Sequence, residues 1–318
     1  MNNRLSHSSL TMYSDCSERY RLHYKEKLRS ITQASPLLFG SAVDKALEYA
    51  LKNFDEVTER QVKVIFLKHW RYAEINGQKT YLRTSELVKY NKSDIDPLLS
   101  DNAWASLKFK GLLMVEAYFR DIAPLIRGVV SSQEEIALTN DNGDAITGFV
   151  DAVLQWPSVK FPIIFDFKTS GRPYKQSQVK ESPQLTLYKH ALGEKYKTNK
   201  VGFIVFIKQL DKGILKICKS CEFDGSNTRH STCNNIVGKK RCGGEFTVTY
   251  KPFVKTQVLI DEVDSEFEEK TLDNFDKFNS LVQTETYEKN LNACHGIFGA
   301  CLYYEYCHNG STEGLIKK

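Results

Sequence analysis

The sequence predicts an α/β fold, a mixed central sheet flanked by helices, on three observations. Residues before about 129 carry helical periodicity. Residues 129–168 then hold three strand-like runs in succession, and a capped helix followed by one strongly apolar strand comes next. Residues 8–29 read as an opening helix, with Leu10, Tyr13, Tyr20 and Tyr24 spaced for one face and Ser8 or Ser9 as N-cap. Residues 40–53 read as a second, with Val43, Ala46, Leu47 and Ala50 on one side. Residues 54–128 read as a mainly helical insertion that includes a long amphipathic stretch at 104–126. The core is expected at 129–210, with strands at 129–138, 146–156 and 163–168 separated by the turn signals Asn140-Asp141-Asn142-Gly143 and Trp156-Pro157. A helix begins at Ser182 as N-cap with Pro183 in its first position and runs toward Leu192. Residues 201–207 form a buried strand. A cysteine-rich, zinc-ribbon-like insertion at 213–250 follows, then strand-like runs at 246–250 and 256–260 and a last helix at 265–282. There is no internal repeat and no low-complexity tract.

Bulk properties restrict the function. The 318 residues are 41% apolar and 26% charged, which is ordinary for a soluble globular chain. No run approaches the roughly 20 apolar residues of a membrane helix. The start, MNNRLSHSSL, lacks the apolar core of a secretory signal, so a cytoplasmic protein without a membrane partner is expected (host cytoplasm if the gene is viral). The net charge of +5 is unevenly placed: between Lys195 and Lys255 there are 13 Lys/Arg against 4 Asp/Glu. Such a segment suits a polyanion, nucleic acid above all, and equally suits a solvated lysine-rich surface. No phosphate-binding Gly-Lys loop is present, so any helicase or ATPase would be a separate partner.

Side chains alternate along a strand. In GFVDAVLQW this puts Phe149, Asp151 and Val153 on one face; in PIIFDFKTS, Asp166 and Lys168 share a face opposite Ile163, Phe165 and Phe167. Pairing of the two strands would bring Asp151, Asp166 and Lys168 together. Carboxylates at the ends of apolar strands are costly unless a cation is held there, and hard oxygen ligands suit Mg²⁺ or Mn²⁺. An ion on Asp151, Asp166 and the Phe167 carbonyl would polarise a phosphate oxygen and generate a hydroxide-like nucleophile, with Lys168 orienting water or neutralising charge. Spacing alone leaves equally open two solvent-facing aspartates with a partnering lysine.

Eight cysteines in an intracellular chain argue for metal rather than disulfides. Cys218, Cys221, Cys233 and Cys242 form one group; Cys294, Cys301 and Cys307 form another, with Cys16 left near the start. Cys218-x2-Cys221 is a metal knuckle that Cys233 and Cys242 can complete as a Cys₄ zinc site, with His230 as a substitute ligand and Gly243-Gly244 allowing a tight backbone. Lys219, Arg229, Lys239, Lys240 and Arg241 load this segment with positive charge for DNA phosphates, though a purely structural insertion fits as well. His7, His190, His295 and His308 have no spacing that specifies a site.

G-F-V-D, a short gap, I-I-F-D-F-K-T and then Q-x-x-x-Y on a helix together resemble the RecB-like branch of the PD-(D/E)XK nuclease superfamily. The resemblance covers nearly the whole chain and implies that family's restriction-endonuclease-like core. It implies roles for Gln184 and Tyr188, four residues apart on one helix face, near the active site and the DNA backbone. S-S-L-T-M-Y-S-D-C-S-E-R-Y-R-L resembles the family's opening helix, and F-G-S-A-V-D-K-A-L-E the segment that usually carries a metal-binding His. Asp44 stands at that position here, with Glu134 or Glu135 as a fallback acidic ligand. Cys16 with Cys294-x6-Cys301-x5-Cys307 resembles the [4Fe–4S] staple of iron–sulfur members such as the AddB nuclease domain and the CRISPR-associated exonucleases. The first gap in that triplet is two residues in many members, six here; free cysteines or zinc are the other readings. The resemblance implies a DNA exonuclease on single-stranded or free-ended DNA, and the compact chain is compatible with a phage or mobile-element repair or recombination role. A non-catalytic DNA-binding module on the same scaffold and a structure-specific endonuclease are the alternatives.

Overall fold

The computed structural model describes residues 5–30, 35–70, 72–75, 78–82, 87–89, 101–139, 145–226, 228–296 and 299–317. A five-stranded mixed sheet forms the centre, its strands lying side by side in chain order: β1 (Gly128–Thr139), β2 (Ala145–Gln155), β3 (Ile163–Ser170), β4 (Lys200–Cys218) and β5 (Phe246–Glu262). Neighbours are antiparallel except β3 and β4, which run parallel. A parallel pair requires a crossover, supplied here by a helix at Pro183–Tyr196. The predicted α/β class is the observed one. The turn signal at 140–143 lies outside the described residues.

Helices cover both faces. After α1 (His7–Asp15), which packs elsewhere, come α2 (Ser35–Lys52), α3 (Glu59–His69) and α4 (Asp101–Ala117), which lie on one face and close the larger core. Phe39, Ala46, Phe66, Met114 and Tyr118 meet Ala152, Leu154, Phe165 and Phe206 there. Contact between α3 and α4 is close because Gly111 faces Phe66; a Cβ at Gly111 would fall 2.0 Å from that ring. The other face is capped by α5 (Pro183–Tyr196), whose Leu185, Tyr188 and Leu192 pack on Val150, Val153, Ile164, Val201 and Val205. Ser182 caps α5 by accepting from the Leu185 N–H, with Pro183 in the first turn, as its sequence predicts. A third cluster joins α1 and the turn after it to α6 (Ser265–Gln283): Tyr20 meets Phe275, Phe278 and Val282, with Leu10, Met12 and Tyr13 of α1 packed against them.

Four local expectations are corrected. The opening helix begins at His7 with Ser6, not Ser8 or Ser9, as N-cap in a reciprocal capping box with Ser9. It then breaks at Cys16, whose backbone is extended, and residues 28–30 form a strand paired with 315–317. Between α3 and the Asp101–Ala117 helix the described residues are not helical: Tyr72–Ile75, Gln78–Leu82 and Leu87–Lys89 form a small antiparallel sheet. The sequence carries the hairpin signal Asn76-Gly77 between the first two. Finally, the apolar run at 201–207 is only the buried half of β4, which continues to Cys218. The two runs at 246–260 are likewise one strand, broken only by a bulge between Val254 and Thr256. Beyond the core each strand satisfies its ladder with the other, so polar sequence does not end them.

Candidate active site

Strands β2 and β3 pair over three residue pairs only, Leu154 with Ile163, Val153 with Ile164 and Ala152 with Phe165. Beyond Phe165 they splay, and a side chain takes over the bonding: Asp151 Oδ2 accepts from the Phe167 N–H at 2.8 Å. On the other side of β2 the ladder with β1 passes from Ser132↔Ala152 to Glu134↔Val150. Gln133 lies between, in left-handed backbone (φ 52°), and its Nε2 donates to Asp151 Oδ1 at 3.1 Å. Asp151 is thus gripped by both neighbouring strands at the point where the sheet opens.

Asp166 is 2% exposed, and its Oδ2 lies 2.7 Å from Lys168 Nζ. That approach is off the hydrogen-bonding directions, so this buried oxygen has an ion-pair contact and no aligned donor. Lys168 Nζ donates to Gln184 Oε1 at 2.9 Å, Gln184 Nε2 donates to the Tyr188 hydroxyl at 2.7 Å, and that hydroxyl donates to the Phe149 carbonyl at 2.7 Å. The α5 residues Gln184 and Tyr188 therefore form a rail that fixes the lysine and locks α5 onto β2.

Asp44, on α2, completes an acidic trio. Burial pushes its carboxyl up to about 6; the nearby Lys45 opposes this and Asp166 and Glu48 reinforce it. Asp151 is raised well above the usual carboxylate range, first by burial and then by the charges of Asp166 and Asp44. Asp166 is raised by burial against the pull of Lys168. Burial draws Lys168 down, but Asp166 and Asp151 more than offset it, so its pKa is raised and it stays an ammonium. Three carboxylates held against their own ionisation, Asp166 buried and Asp44 and Asp151 partly buried, with one oxygen lacking an aligned donor, are a donor set suited to a hard divalent cation. Among the described residues they do not close to within 4.8 Å of one another, as four thiols elsewhere do.

The fallback ligands are corrected. Glu134 is held by Lys195 Nζ and the Tyr196 hydroxyl, each at 2.6 Å, and Glu135 sits in the β1–β2 ladder opposite Phe149. Two neighbours of the site were not foreseen. Gln133 is one; nothing local in the sequence marks a glutamine that will adopt left-handed backbone. The other is His7, half-buried at the start of α1, whose pKa is lowered by burial and then by the Lys168 ammonium.

None of the eight cysteines forms a disulfide. Cys16, Cys294, Cys301 and Cys307 line one cavity together with Arg19, Lys289 and His308. The break at Cys16 aims its sulfur at a distant segment, where it accepts from the Asn290 N–H at 3.5 Å. Cys218, Cys221, Cys233 and Cys242 gather at the far end of the β4–β5 hairpin; His230 is exposed and outside the group, which corrects its place as a substitute ligand. Arg229, Lys239, Lys240 and Arg241 are all exposed on the same lobe. No described helix is long and apolar enough to cross a membrane.

Comparison with known proteins gives one family match. The profile described as PD-(D/E)XK nuclease superfamily matches residues 4–308. No curated protein matches the chain. Among solved structures, the chain is similar to a crystal structure at 2.19 Å resolution from Eubacterium rectale, named "Putative exonuclease". Identity is 12%, the TM-score is 0.46, and the alignment covers 97% of this chain and 94% of that one. At that level it adds no argument about activity.

Proposed function

The chain belongs to the PD-(D/E)XK nuclease superfamily, which implies a phosphodiester hydrolase that uses divalent metal, and on that premise we propose a DNA exonuclease acting on single-stranded or free-ended DNA. The observation that carries the reading is the convergence of Asp44, Asp151, Asp166 and Lys168 where β2 and β3 part, with Gln184 and Tyr188 bracing the lysine. Asp44, Asp151 and Asp166, with the Phe167 carbonyl at the same place, would hold Mg²⁺ or Mn²⁺. When bound, the ion supplies Lewis acidity to a phosphate oxygen and to water. The chain's own part is electrostatic and positional. Lys168 is an ammonium, so it stabilises charge growing on the phosphate and orients water rather than taking a proton. Gln184 holds that ammonium in place, and the Phe167 N–H and Gln133 hold Asp151.

Two further groups of residues extend the reading. The cavity shared by Cys16, Cys294, Cys301 and Cys307 supports a [4Fe–4S] cluster, because four thiols converge there without forming a set compact enough for a single ion. Exposed Arg229, Lys239, Lys240 and Arg241 supply DNA-phosphate contacts.

The test is cleavage of labelled single-stranded, duplex and flapped DNA with Mg²⁺ or Mn²⁺, using wild type, Asp166→Ala and Lys168→Ala. Wild type cuts, and each variant loses at least about 10³-fold in rate while remaining folded. A folded wild type that binds DNA and cuts none of these forms is a non-catalytic module instead. Cleavage of circular single strands would replace the exonuclease with an endonuclease.

A further inference from the structure

We propose that Cys218, Cys221, Cys233 and Cys242 bind one zinc ion, and that this ion rather than a hydrophobic core holds together the lobe at the end of the β4–β5 hairpin. Distance comes first. The four sulfurs all lie within 4.8 Å of one another; Cys218 and Cys242 are 3.7 Å apart, and Cys221 and Cys233 3.6 Å. A disulfide would need about 2.05 Å. A tetrahedral ion with Zn–S bonds of about 2.3 Å needs sulfurs about 3.8 Å apart.

Backbone direction is the second observation. The Ser220 N–H donates to Cys218 Sγ at 3.4 Å, and the backbone N–H groups of Phe223, Asn235 and Gly244, likewise two places on, favour the thiolates of Cys221, Cys233 and Cys242. The Asn235 side-chain amide adds a further donor to Cys221 at 3.8 Å. These donors draw the Cys221 thiol down to about 7, while burial pushes the Cys233 thiol up to about 12, so a cation is what would let all four ionise together. Gly244 is part of this construction, since a Cβ there would lie 2.9 Å from Cys218 Sγ and 2.6 Å from Ser220 Oγ.

The third observation is what the lobe lacks. Among its described residues from 219 to 245, only Gly225 and Cys233 are buried, and Ile236 and Val237 are 70% and 54% exposed. Its arms are joined around the sulfurs mainly by backbone bonds, among them Lys219 N–H to the Glu245 carbonyl, Cys233 N–H to the Gly244 carbonyl and Cys242 N–H to the Asn235 carbonyl. Without an apolar interior, metal ligation is the remaining source of folding free energy.

Four protein ligands leave no open position, so the ion is structural. The site also stands roughly 15 residues, about 50 Å of extended strand, beyond the point where β4 passes Asp166. Four thiolates in a closed tetrahedral set suit zinc, and metal content separates it from iron. Zinc here is independent of the hydrolytic reading, because none of the observations involves the carboxylates.

The test measures metal content and local protection on the full chain, purified without added chelator. Wild type should carry about one zinc per chain in this site. The double variant Cys221→Ser/Cys233→Ser should lose that equivalent. Asp166→Ala should keep it, which separates this result from any failure of the nuclease assay. A zinc chelator applied to wild type should raise tryptic cleavage at Lys239, Lys240 and Arg241 at least tenfold, while added zinc restores protection. Zinc below about one fifth of an equivalent, iron in its place, full zinc in the double variant, or cleavage indifferent to chelation would each overturn the proposal.

Discussion

Two regions of this chain are prepared for metal by opposite means. In the thiol lobe the ligands are already gathered, within 4.8 Å of one another, on an exposed hairpin tip. In the acidic pocket Asp166 is buried, Asp44 and Asp151 are partly buried, and the three repel one another and stand further apart. Charge accounts for the difference. A thiol can wait neutral beside other thiols, whereas carboxylates crowded in a dry site are driven apart or kept protonated. The lobe is therefore expected to depend on its ion for its fold, and the pocket to fold without one and to store its affinity for a cation as unfavourable burial.

The sharpest way to break this contrast is the reciprocal variant pair. Asp166→Ala, with its loss of about 10³-fold or more in rate, should keep full resistance to trypsin at 239–241. If it loses that resistance, the two regions are coupled and the contrast fails. Next in size is Lys239→Ala/Lys240→Ala/Arg241→Ala, in which all three residues are exposed. Affinity for single-stranded DNA should fall about tenfold near 0.1 M salt, and the slope of log K against log salt should shrink by about 2. Measured by fluorescence anisotropy across a salt series, an unchanged slope would remove the lobe from the DNA surface.

A smaller effect probes the stored repulsion. Asp44 titrates near 6 when folded, against an ordinary 3.8. Between those values the folded chain keeps a proton that the unfolded chain has released. The contribution of Asp44 to stability is therefore lost as pH rises from about 4 to about 6, and stays lost above. Without added divalent cation, Asp44→Asn should match wild type near pH 4 and exceed it near pH 7 by on the order of 2 kcal/mol. A gap that narrows with pH in thermal unfolding would refute the account. Smallest is Gln133→Ala, which removes one of the two donors to Asp151 and should slow cleavage about fivefold with little change in KM.

Legibility followed the range of the interaction. Cysteine spacing is local, so the lobe is legible down to its four thiols, save that His230 is exposed and outside the group. Alternation along two strands suffices to bring Asp151, Asp166 and Lys168 together, and the i, i+4 relation places Gln184 beside Tyr188. What stays hidden depends on partners distant in sequence. The splay that lets Asp151 accept from Phe167, the left-handed backbone of Gln133 and the approach of His7 to Lys168 are settled by packing between elements. The same holds for the long hairpin arm: apart from Val254 and Leu210, which still reach the larger core, residues 208–217 and 246–253 are at most partly buried, because each arm is supported mainly by the other. The small sheet between α3 and α4 is a different failure, a local hairpin signal overridden by a helical reading of its surroundings.

The break in the opening helix at Cys16 has a consequence for how the protein is made. The Glu18 N–H and the Ser17 hydroxyl both donate to the Glu288 carbonyl, and Cys16 itself contacts that residue 272 positions further along. At roughly 5–20 residues per second, the ribosome needs on the order of 15–55 s to deliver those partners. The thiol lobe, whose ligands span 24 residues, can close within seconds of emerging. The N-terminal corner must wait with its tyrosines and Cys16 uncovered until the segment around Glu288 has emerged. That interval is where chaperone demand and oxidation of an unligated Cys16 should concentrate.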